Sequence, residues 1–308
     1  MSTINYKLSV IVITYNQEQL ISRALDSIII QKEWGLFEII VCDDCSIDNT
    51  YAIVKHYSDK YPSIVKPFRN DHNLGIYGNL KKSLTRIGNT DLVIMCSGDD
   101  ALCDGYLRAI NEAIESYNID THGVPFTIYS DWQMIDVSGK SRVFHNNLIS
   151  KHFNPVSLKI RGLIFNRSTC SSTTVYQHFS SVPLDRGVSV AESLFDIQVQ
   201  LHSQINYYLP YIGSIYYSGL GVSTKMVDVQ HKQEYIDAMF ELKRLEALNP
   251  KDSFFLDYQI YKTRFSIRPS LNDLIFAFKY YFKSIDFSYG FRPMTIIHDL
   301  ARLIIKHH

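Results

Sequence analysis

An excess of charge of either sign is missing from this sequence: 31 Lys and Arg stand against 31 Asp and Glu among 308 residues. A dedicated nucleic-acid binder carries a basic face large enough to move that total, so no nucleic acid is expected as a partner. Cysteine is scarce. The five present, Cys42, Cys45, Cys96, Cys103 and Cys170, are odd in number and lack framework spacing, which reads as reduced thiols in a cytoplasmic setting. Cys42 and Cys45 form a CxxC without a second pair, so one strand residue and one turn residue explain them without zinc or redox chemistry. No apolar run approaches the roughly 18 residues of a membrane-spanning helix. The N-terminus, MSTINYKLSV, has no charged region followed by an apolar core of signal length. A cytoplasmic protein is expected, able to touch the inner face of the cell membrane but not to cross it.

Alternation of strands and helices is what the chain does contain. Leu8 to Ile13, LSVIVI, is an apolar, β-branched run of the type expected for a strand covered on both faces. Asn16 is a candidate N-cap with Gln19 three residues on, and Leu20, Ala24, Leu25, Ile28 and Ile29 fall on one helical face. Phe37 to Cys42 repeats the strand pattern and Thr50 to Tyr57 the helical one. Ile64 to Phe68 predicts a shorter strand, Ile76 to Arg86 a helix, Leu92 to Cys96 a buried strand, and Asp104 to Tyr117 a further helix. Such alternation implies parallel pairing through right-handed crossovers. The expected fold class is α/β, with a Rossmann-like, mostly parallel central sheet flanked by helices.

The strand Leu92 to Cys96 stops at Ser97-Gly98 and releases two adjacent carboxylates, Asp99 and Asp100. Neighbouring like charges repel and raise each other's pKa, so a cation or a set of sugar hydroxyls would account for them. A polar turn with Asp104 capping the next helix would account for the same residues without a ligand. Position decides between the two. In a parallel α/β sheet, ligands lie beyond the carboxyl ends of the strands, and Tyr15, Asp43 with Asp44, and Asp99 with Asp100 each come at such an end. The first turn, TYNQEQ, has no glycine, which excludes both the GxGxxG fingerprint and the GxxxxGK[ST] phosphate loop. If a nucleotide binds, its charge must be met by a metal held on carboxylates, a task for Asp99 and Asp100.

The succession LSVIVITYN, IIVCDDCSIDNT, NLGIYGN and SGDD, in that order and spacing over residues 7 to 105, resembles the nucleotide-binding half of family 2 glycosyltransferases of the GT-A fold. The resemblance implies that Thr14, Tyr15 and Asn16 line the nucleotide, with Tyr15 against the base, and that Asp44 accepts hydrogen bonds from the nucleobase. It implies that Asp99 holds the ribose hydroxyls or assists the metal. Asp100 would ligate a divalent cation bridging the diphosphate. Carboxylate and water ligands suit Mn2+ or Mg2+.

After Asn118 the alternation loosens. Phe126 to Ser130 predicts a strand, and Ser138-Gly139 a hairpin turn. The passage YSDWQMIDVSGK is similar to one common in the same family, which implies that Asp131 and Trp132 border the donor sugar or acceptor; Trp132 reads equally well as a half-buried aromatic. The polar run 168–174 precedes an expected short strand at Val175-Tyr176. In Val190 to Leu201, Leu194, Ile197 and Leu201 share one helical face, with Glu192 at the helix start and Asp196 one turn on. Relatives carry Glu-Asp here, whereas this chain has Ser193 after Glu192. The resemblance implies Glu192 as general base on the acceptor hydroxyl, with Asp196 as the alternative. The helix dipole alone also favours an acid at that place. Tyr207 to Ser223 is similar to the family's closing strand and loop. Val229 to Leu248 predicts a helix ended by Asn249-Pro250. Ser270 to His308 reads as a surface helix pair that lies on an anionic membrane or packs on the catalytic domain or a dimer partner.

The expected organisation is a GT-A domain over residues 1–225, with a nucleotide-binding half (1–118) and an acceptor half (119–225), followed by a C-terminal helical region (226–308). The expected activity is inverting, metal-dependent transfer of a sugar from a nucleotide-diphosphate donor, a UDP-sugar first, to a hydroxyl of a glycan or lipid-linked acceptor in cell-surface polysaccharide synthesis. Peripheral membrane contact through the C-terminal helices and a homodimer are the expected associations. Two other classes would use the same residues. A nucleotidyltransferase would bring a Gly- and Lys/Arg-rich first loop, which TYNQEQ lacks; a non-catalytic sugar-nucleotide binder would suit Ser193.

Overall fold

The computed structural model of the chain describes residues 5–151, 154–160, 166–176, 191–220, 229–244 and 248–285. In chain order the elements are β1 (Leu8–Thr14), α1 (Ile21–Ile29), β2 (Leu36–Asp43), α2 (Thr50–Lys60), β3 (Val65–Arg69), α3 (Gly75–Leu84), β4 (Leu92–Ser97), β5 (Ala101–Leu102), α4 (Tyr106–Ser116), β6 (Phe126–Ile135) and β7 (Ser141–Phe144). They continue with α5 (Pro155–Ile160), β8 (Thr169–Ser172), α6 (Ala191–His202), β9 (Ile205–Tyr217), α7 (Val229–Lys243), α8 (Pro250–Ile267) and α9 (Leu271–Ser284). The chain divides into two units, Met1–Pro155 with Ile164–Lys225 and Val156–Leu163 with Met226–His308.

In the first unit, the apolar run of β1 divides by parity. Leu8, Val10 and Val12 pack with Ile21, Leu25 and Ile28 of α1 and with Tyr106, Leu107 and Ile110 of α4. Ile11 packs on the opposite face with Tyr77 and Leu80 of α3 and Phe195 and Val199 of α6. A strand buried on both faces needs apolar side chains at every position, which is why the sequence there shows no alternation. The result is three layers, helices on both sides of one sheet.

Among the described residues the strands form one nine-stranded sheet in the order β3-β2-β1-β4-β8-β6-β9-β5, with β7 on β6. The half β3-β2-β1-β4 is wholly parallel. Beyond β4 the sheet is mixed: β8 runs antiparallel to β4 and to β6, β6 and β9 are parallel, and β5 is antiparallel to β9. The expected parallel sheet is therefore one half of the whole. The hairpin at Ser138-Gly139 joins β6 to β7, with Gly139 at positive φ and the Asp136 carboxylate accepting from the amides of Ser138 and Lys140.

Three local expectations are corrected. Asn16 does not cap α1: it sits at φ 51°, the helix starts five residues later, and its Oδ1 accepts instead from the Ile47 amide at 2.9 Å. Asp104 does not cap α4, because Gly105 takes that place in the left-handed region and no side chain caps the helix. Val175 and Tyr176 lie in a 3-10 turn, and the strand is the polar stretch before them, β8. Its hydroxyls are satisfied across the sheet: Ser171 pairs with Thr127 at 2.9 Å, and Ser172 accepts from the Phe126 amide at 3.0 Å. Buried hydroxyls with partners cost little, so a central strand here carries no apolar pattern.

In the second unit α8 and α9 share a core of Phe255, Tyr258, Ala277 and Tyr281. Asn249 caps the start of α8, accepting from the Asp252 amide at 2.9 Å with Pro250 in the first turn, the positions where a lone-pair cap and a residue without N–H are favoured. The preceding helix, α7, ends at Lys243. Ser157 of α5 donates to the Asp252 carboxylate. No described helix is long and apolar enough to cross a membrane.

Candidate active site

The strands β1, β2 and β4 end level with one another, with Thr14 beside Asp43 and Ile13 beside Ser97. The backbone carries that alignment one step further. Asp44 N donates to Thr14 O, Asn70 N to Asp43 O and Gly98 N to Ile13 O, each at 2.9 Å. The loops that follow the three strands are thus held along one carboxyl edge, and both acidic pairs sit on it.

Asp43 and Asp44 face different tasks. Asp43 is fully buried and fastens its own loop: it accepts from the Ser46 amide at 3.0 Å and from the Ser46 hydroxyl, and its Oδ2 lies 3.3 Å from Arg69 Nε. Asp44 is also buried, and its Oδ1 accepts from Asn70 Nδ2 at 2.8 Å and Leu74 N at 2.9 Å. Its Oδ2 makes no hydrogen bond among the described residues. Asp44 is therefore oriented by two donors on one oxygen.

The turn carrying Asp99 and Asp100 depends on Gly98. A Cβ there would collide with the Gln17 side chain and stand 2.9 Å from Thr14 Oγ1, so only glycine lets the first turn and the acidic turn touch. Helix α1 and the turn that follows it hold the other side through residues at intervals of four. Arg23 donates to Asp99 O, Ser27 Oγ accepts from Leu102 N at 3.1 Å, and Gln31 bonds both Cys103 O and Leu107 N at 3.0 Å. Arg23 is further stacked on the Tyr217 ring at 3.5 Å.

Asp100 is reached from the far end of the sheet. Tyr217 N, the last residue of β9, donates to its Oδ1 at 3.2 Å, and Arg167 Nη1 lies 3.8 Å from its Oδ2. Arg167 in turn stacks on Tyr216 at 3.7 Å and lies 5.5 Å from the Trp132 ring. Successive residues of a strand point to opposite faces, so Tyr216 and Tyr217 each carry one arginine. Burial pushes the Cys96 thiol well above its usual range, and Asp100 and Asp99 push it further.

The remaining expected residues fall in several places. Thr14 is buried and bonds Gln17 Oε1 at 2.7 Å, Tyr15 is half-buried and Asn16 exposed, all on the same edge. Trp132 stacks on Phe144 at 4.2 Å and joins the Arg167 cluster. Asp131 turns to other partners: His145 Nδ1 at 2.7 Å, Asn146 N at 3.0 Å and the Tyr208 hydroxyl at 3.0 Å. Burial and the Asp131 carboxylate push the Tyr208 hydroxyl up to about 12. Asp196 lies near Tyr129 and Tyr176, whose hydroxyls burial raises and Asp196 raises further. Glu192 is in the first turn of α6, and its side chain lies outside the described residues. Arg23, Arg167, Tyr216 and Tyr217 escaped the sequence reading as site residues, although Tyr216 and Tyr217 belong to the stretch expected to close over the nucleotide side.

The fit of a divalent cation rests on two side chains. Among the described residues no three His, Cys, Asp or Glu side chains gather into a metal-holding group. Mg2+ and Mn2+ are commonly held by one or two carboxylates with phosphate oxygens and water completing the shell. Adjacent Asp99 and Asp100, in a turn tied down on both sides, fit that requirement.

A family model described as glycosyl transferase family 2 matches residues 9–167. Rv1520, an uncharacterized protein of Mycobacterium tuberculosis, is 34% identical over 97 residues, 32% of this chain and 28% of that protein. TarS of Staphylococcus aureus, a poly(ribitol-phosphate) beta-N-acetylglucosaminyltransferase, is 26% identical over 170 residues, 52% of this chain and 29% of TarS. The chain thus spans under a third of the length of these relatives. The crystal structure of TarS 1-349 with UDP-GlcNAc superposes with a TM-score of 0.62 at 17% identity, covering 89% of this chain and 79% of that one. Mannosyltransferase PcManGT from Pyrobaculum calidifontis, in complex with GDP-Man and Mn2+, gives 0.54 at 15% identity, covering 99% and 80%. At such identities the likeness speaks of fold, and the fold is GT-A.

Proposed function

This chain belongs to glycosyl transferase family 2 and is a glycosyltransferase; from the geometry of its carboxyl edge we propose that it moves a sugar from a nucleotide-diphosphate donor to a hydroxyl of a glycan or lipid-linked acceptor, with inversion, in cell-surface polysaccharide synthesis. The observation that carries this reading is the meeting of Asp99 and Asp100 with Thr14 and Asp44 along one edge of three aligned parallel strands. A UDP-sugar is the donor we assign, the class bound in the TarS structure. Asp100, with Asp99 beside it, would hold Mn2+ or Mg2+; Mn2+ accompanies GDP-Man in PcManGT. Such an ion, when bound, neutralises charge on the departing diphosphate.

The chain's own residues do the rest. Tyr15 lies against the base, Thr14 and Asn16 line the nucleotide, and Asp44 offers the base the oxygen that Asn70 and Leu74 leave unused. Glu192, with Asp196 as the alternative, takes the proton from the acceptor hydroxyl, which then attacks the anomeric carbon from the face opposite the diphosphate. A single displacement inverts the configuration. Trp132 and Asp131 border the sugar and acceptor. We assign residues 1–225 to the catalytic domain, its halves meeting near residue 118, and 226–308 to a helical region. On α9, Leu271, Ile275 and Phe282 are exposed beside Lys279 and Lys283, which supports contact with an anionic membrane at the cytoplasmic face or with a second copy of the chain.

The test is a thermal-shift series with UDP, GDP, dTDP and CDP, each with and without Mn2+, on wild type and Asp100→Ala. Selective, Mn2+-dependent stabilisation that the variant loses is the expected result and names the donor class. Absence of a shift with every nucleotide would sink the proposal.

A further inference from the structure

Two arginines border the acidic turn, and their hydrogen-bonding states differ. Arg23 donates from one terminal nitrogen to Asp99 O and lies on the Tyr217 ring, while its buried Nε has no hydrogen-bond partner among the described residues. Arg167 makes no side-chain hydrogen bond to a described residue. Its one ion-pair partner among the described residues is Asp100, at 3.8 Å, beyond hydrogen-bond range.

Arg167 is nonetheless firmly held. Stacking on Tyr216 and contact with Trp132 engage the faces of the guanidinium and leave its edge of N–H donors clear. Its backbone is fixed as well: Ser214 Oγ donates to Arg167 O at 2.8 Å. A Cβ on Gly213 would collide with the Ser168 hydroxyl and the Tyr106 ring, so the close approach of the 166–168 turn to β9 requires glycine. A cation pre-ordered by aromatic rings, with unspent donors, beside a pair of carboxylates, suits an oxyanion with several acceptor oxygens.

Resting on the sugar-nucleotide reading above, we propose that Arg167 is a diphosphate-binding residue of the donor site: it pairs with Asp100 while no cation is there, and its N–H edge receives the diphosphate when a divalent cation takes Asp100. The pairing has a physical reason. A carboxylate repels an incoming diphosphate, and Arg167 offsets the charge of Asp100 until the cation arrives.

Calorimetric titration of wild type, Arg167→Gln and Arg167→Lys with UDP, GDP, dTDP and CDP in Mn2+, and with the matching nucleosides, separates diphosphate contact from scaffold. For the diphosphate that wild type binds, Arg167→Gln should lose at least about tenfold in affinity while the matching nucleoside stays within about twofold. Arg167→Lys, which keeps the charge without the planar fork, should lose less. Mn2+ alone, read by electron paramagnetic resonance, should bind Arg167→Gln more tightly than wild type, because Asp100 has lost a competing cation. Diphosphate affinity unchanged in both variants, an equal loss for the nucleoside, or Mn2+ binding weakened in Arg167→Gln would each overturn the proposal. If wild type binds none of the four diphosphates, the donor reading falls and takes this assignment with it.

Discussion

The two acidic pairs on the carboxyl edge are alike in sequence and unlike in construction. Asp43 and Asp44 draw their partners from the loop that follows them and from the next crossover: Ser46, Arg69, Asn70 and Leu74. Asp99 and Asp100 meet partners from an early helix and from the far half of the sheet, among them Arg23, Arg167 and Tyr217. The first pair is a joint of the fold, with one oxygen to spare. The second is assembled from distant parts of the chain, with aromatic stacking on Tyr216 and Tyr217 placing its two arginines. Removal of the Asp43 carboxylate should therefore cost stability, and removal of the Asp100 carboxylate, chemistry.

The largest effect is expected at Asp100→Asn. If Asp100 carries charge stabilisation of the leaving diphosphate, kcat should fall about 10²- to 10³-fold, read as release of nucleoside diphosphate from the donor, with little change in melting temperature. Asp43→Asn should invert that pattern. It weakens the contacts to Ser46 and Arg69 inside a buried loop, at a cost of about 1–3 kcal/mol in chemical denaturation, and a stability loss as small as that of Asp100→Asn would break the distinction between the pairs.

Gly213→Ala tests whether the second pair depends on the far half of the sheet. The added methyl forces β9 and the Ser168 turn apart, which should cost about 1–3 kcal/mol and also weaken Mn2+-dependent nucleotide binding, while nucleoside binding survives. Loss of stability without loss of diphosphate affinity would uncouple Arg167 from the site. The smallest effect is a pH dependence. Tyr208 titrates near 12 in the fold against 10 for an ordinary tyrosine, raised by burial and then by Asp131. Its contribution is complete below pH 10 and is lost as the pH rises from 10 towards 12. Tyr208→Phe should flatten the decline in melting temperature over that window; an unchanged slope would remove Tyr208 from the account.

Legibility in the sequence followed the same division. β1, β2 and β4 could be read because burial on both faces writes continuous apolar runs, and the acids were conspicuous because those runs end in them. β8 could not be read: its Thr and Ser residues are buried between two strands that satisfy their hydroxyls, and paired hydroxyls leave no hydrophobic pattern. The start of α8 was not read: Asn249-Pro250 reads as the end of the helix before it, whereas Asn249 caps the helix that follows. Arg23 looked like any polar residue on an amphipathic helix, and Arg167 lay in a stretch without local periodicity.

By itself, then, the sequence determined the parallel half of the sheet and the positions of both acidic pairs, since strand burial and strand ends are local properties of the chain. Tertiary structure alone decided which cations and backbone donors meet those acids. Asp100 finds Arg167 and Tyr217 because β5, which begins at the next residue, pairs with β9, and β9 in turn holds the 166–168 turn; contacts between residues so far apart leave no repeat, spacing or run in the sequence from which they could be read.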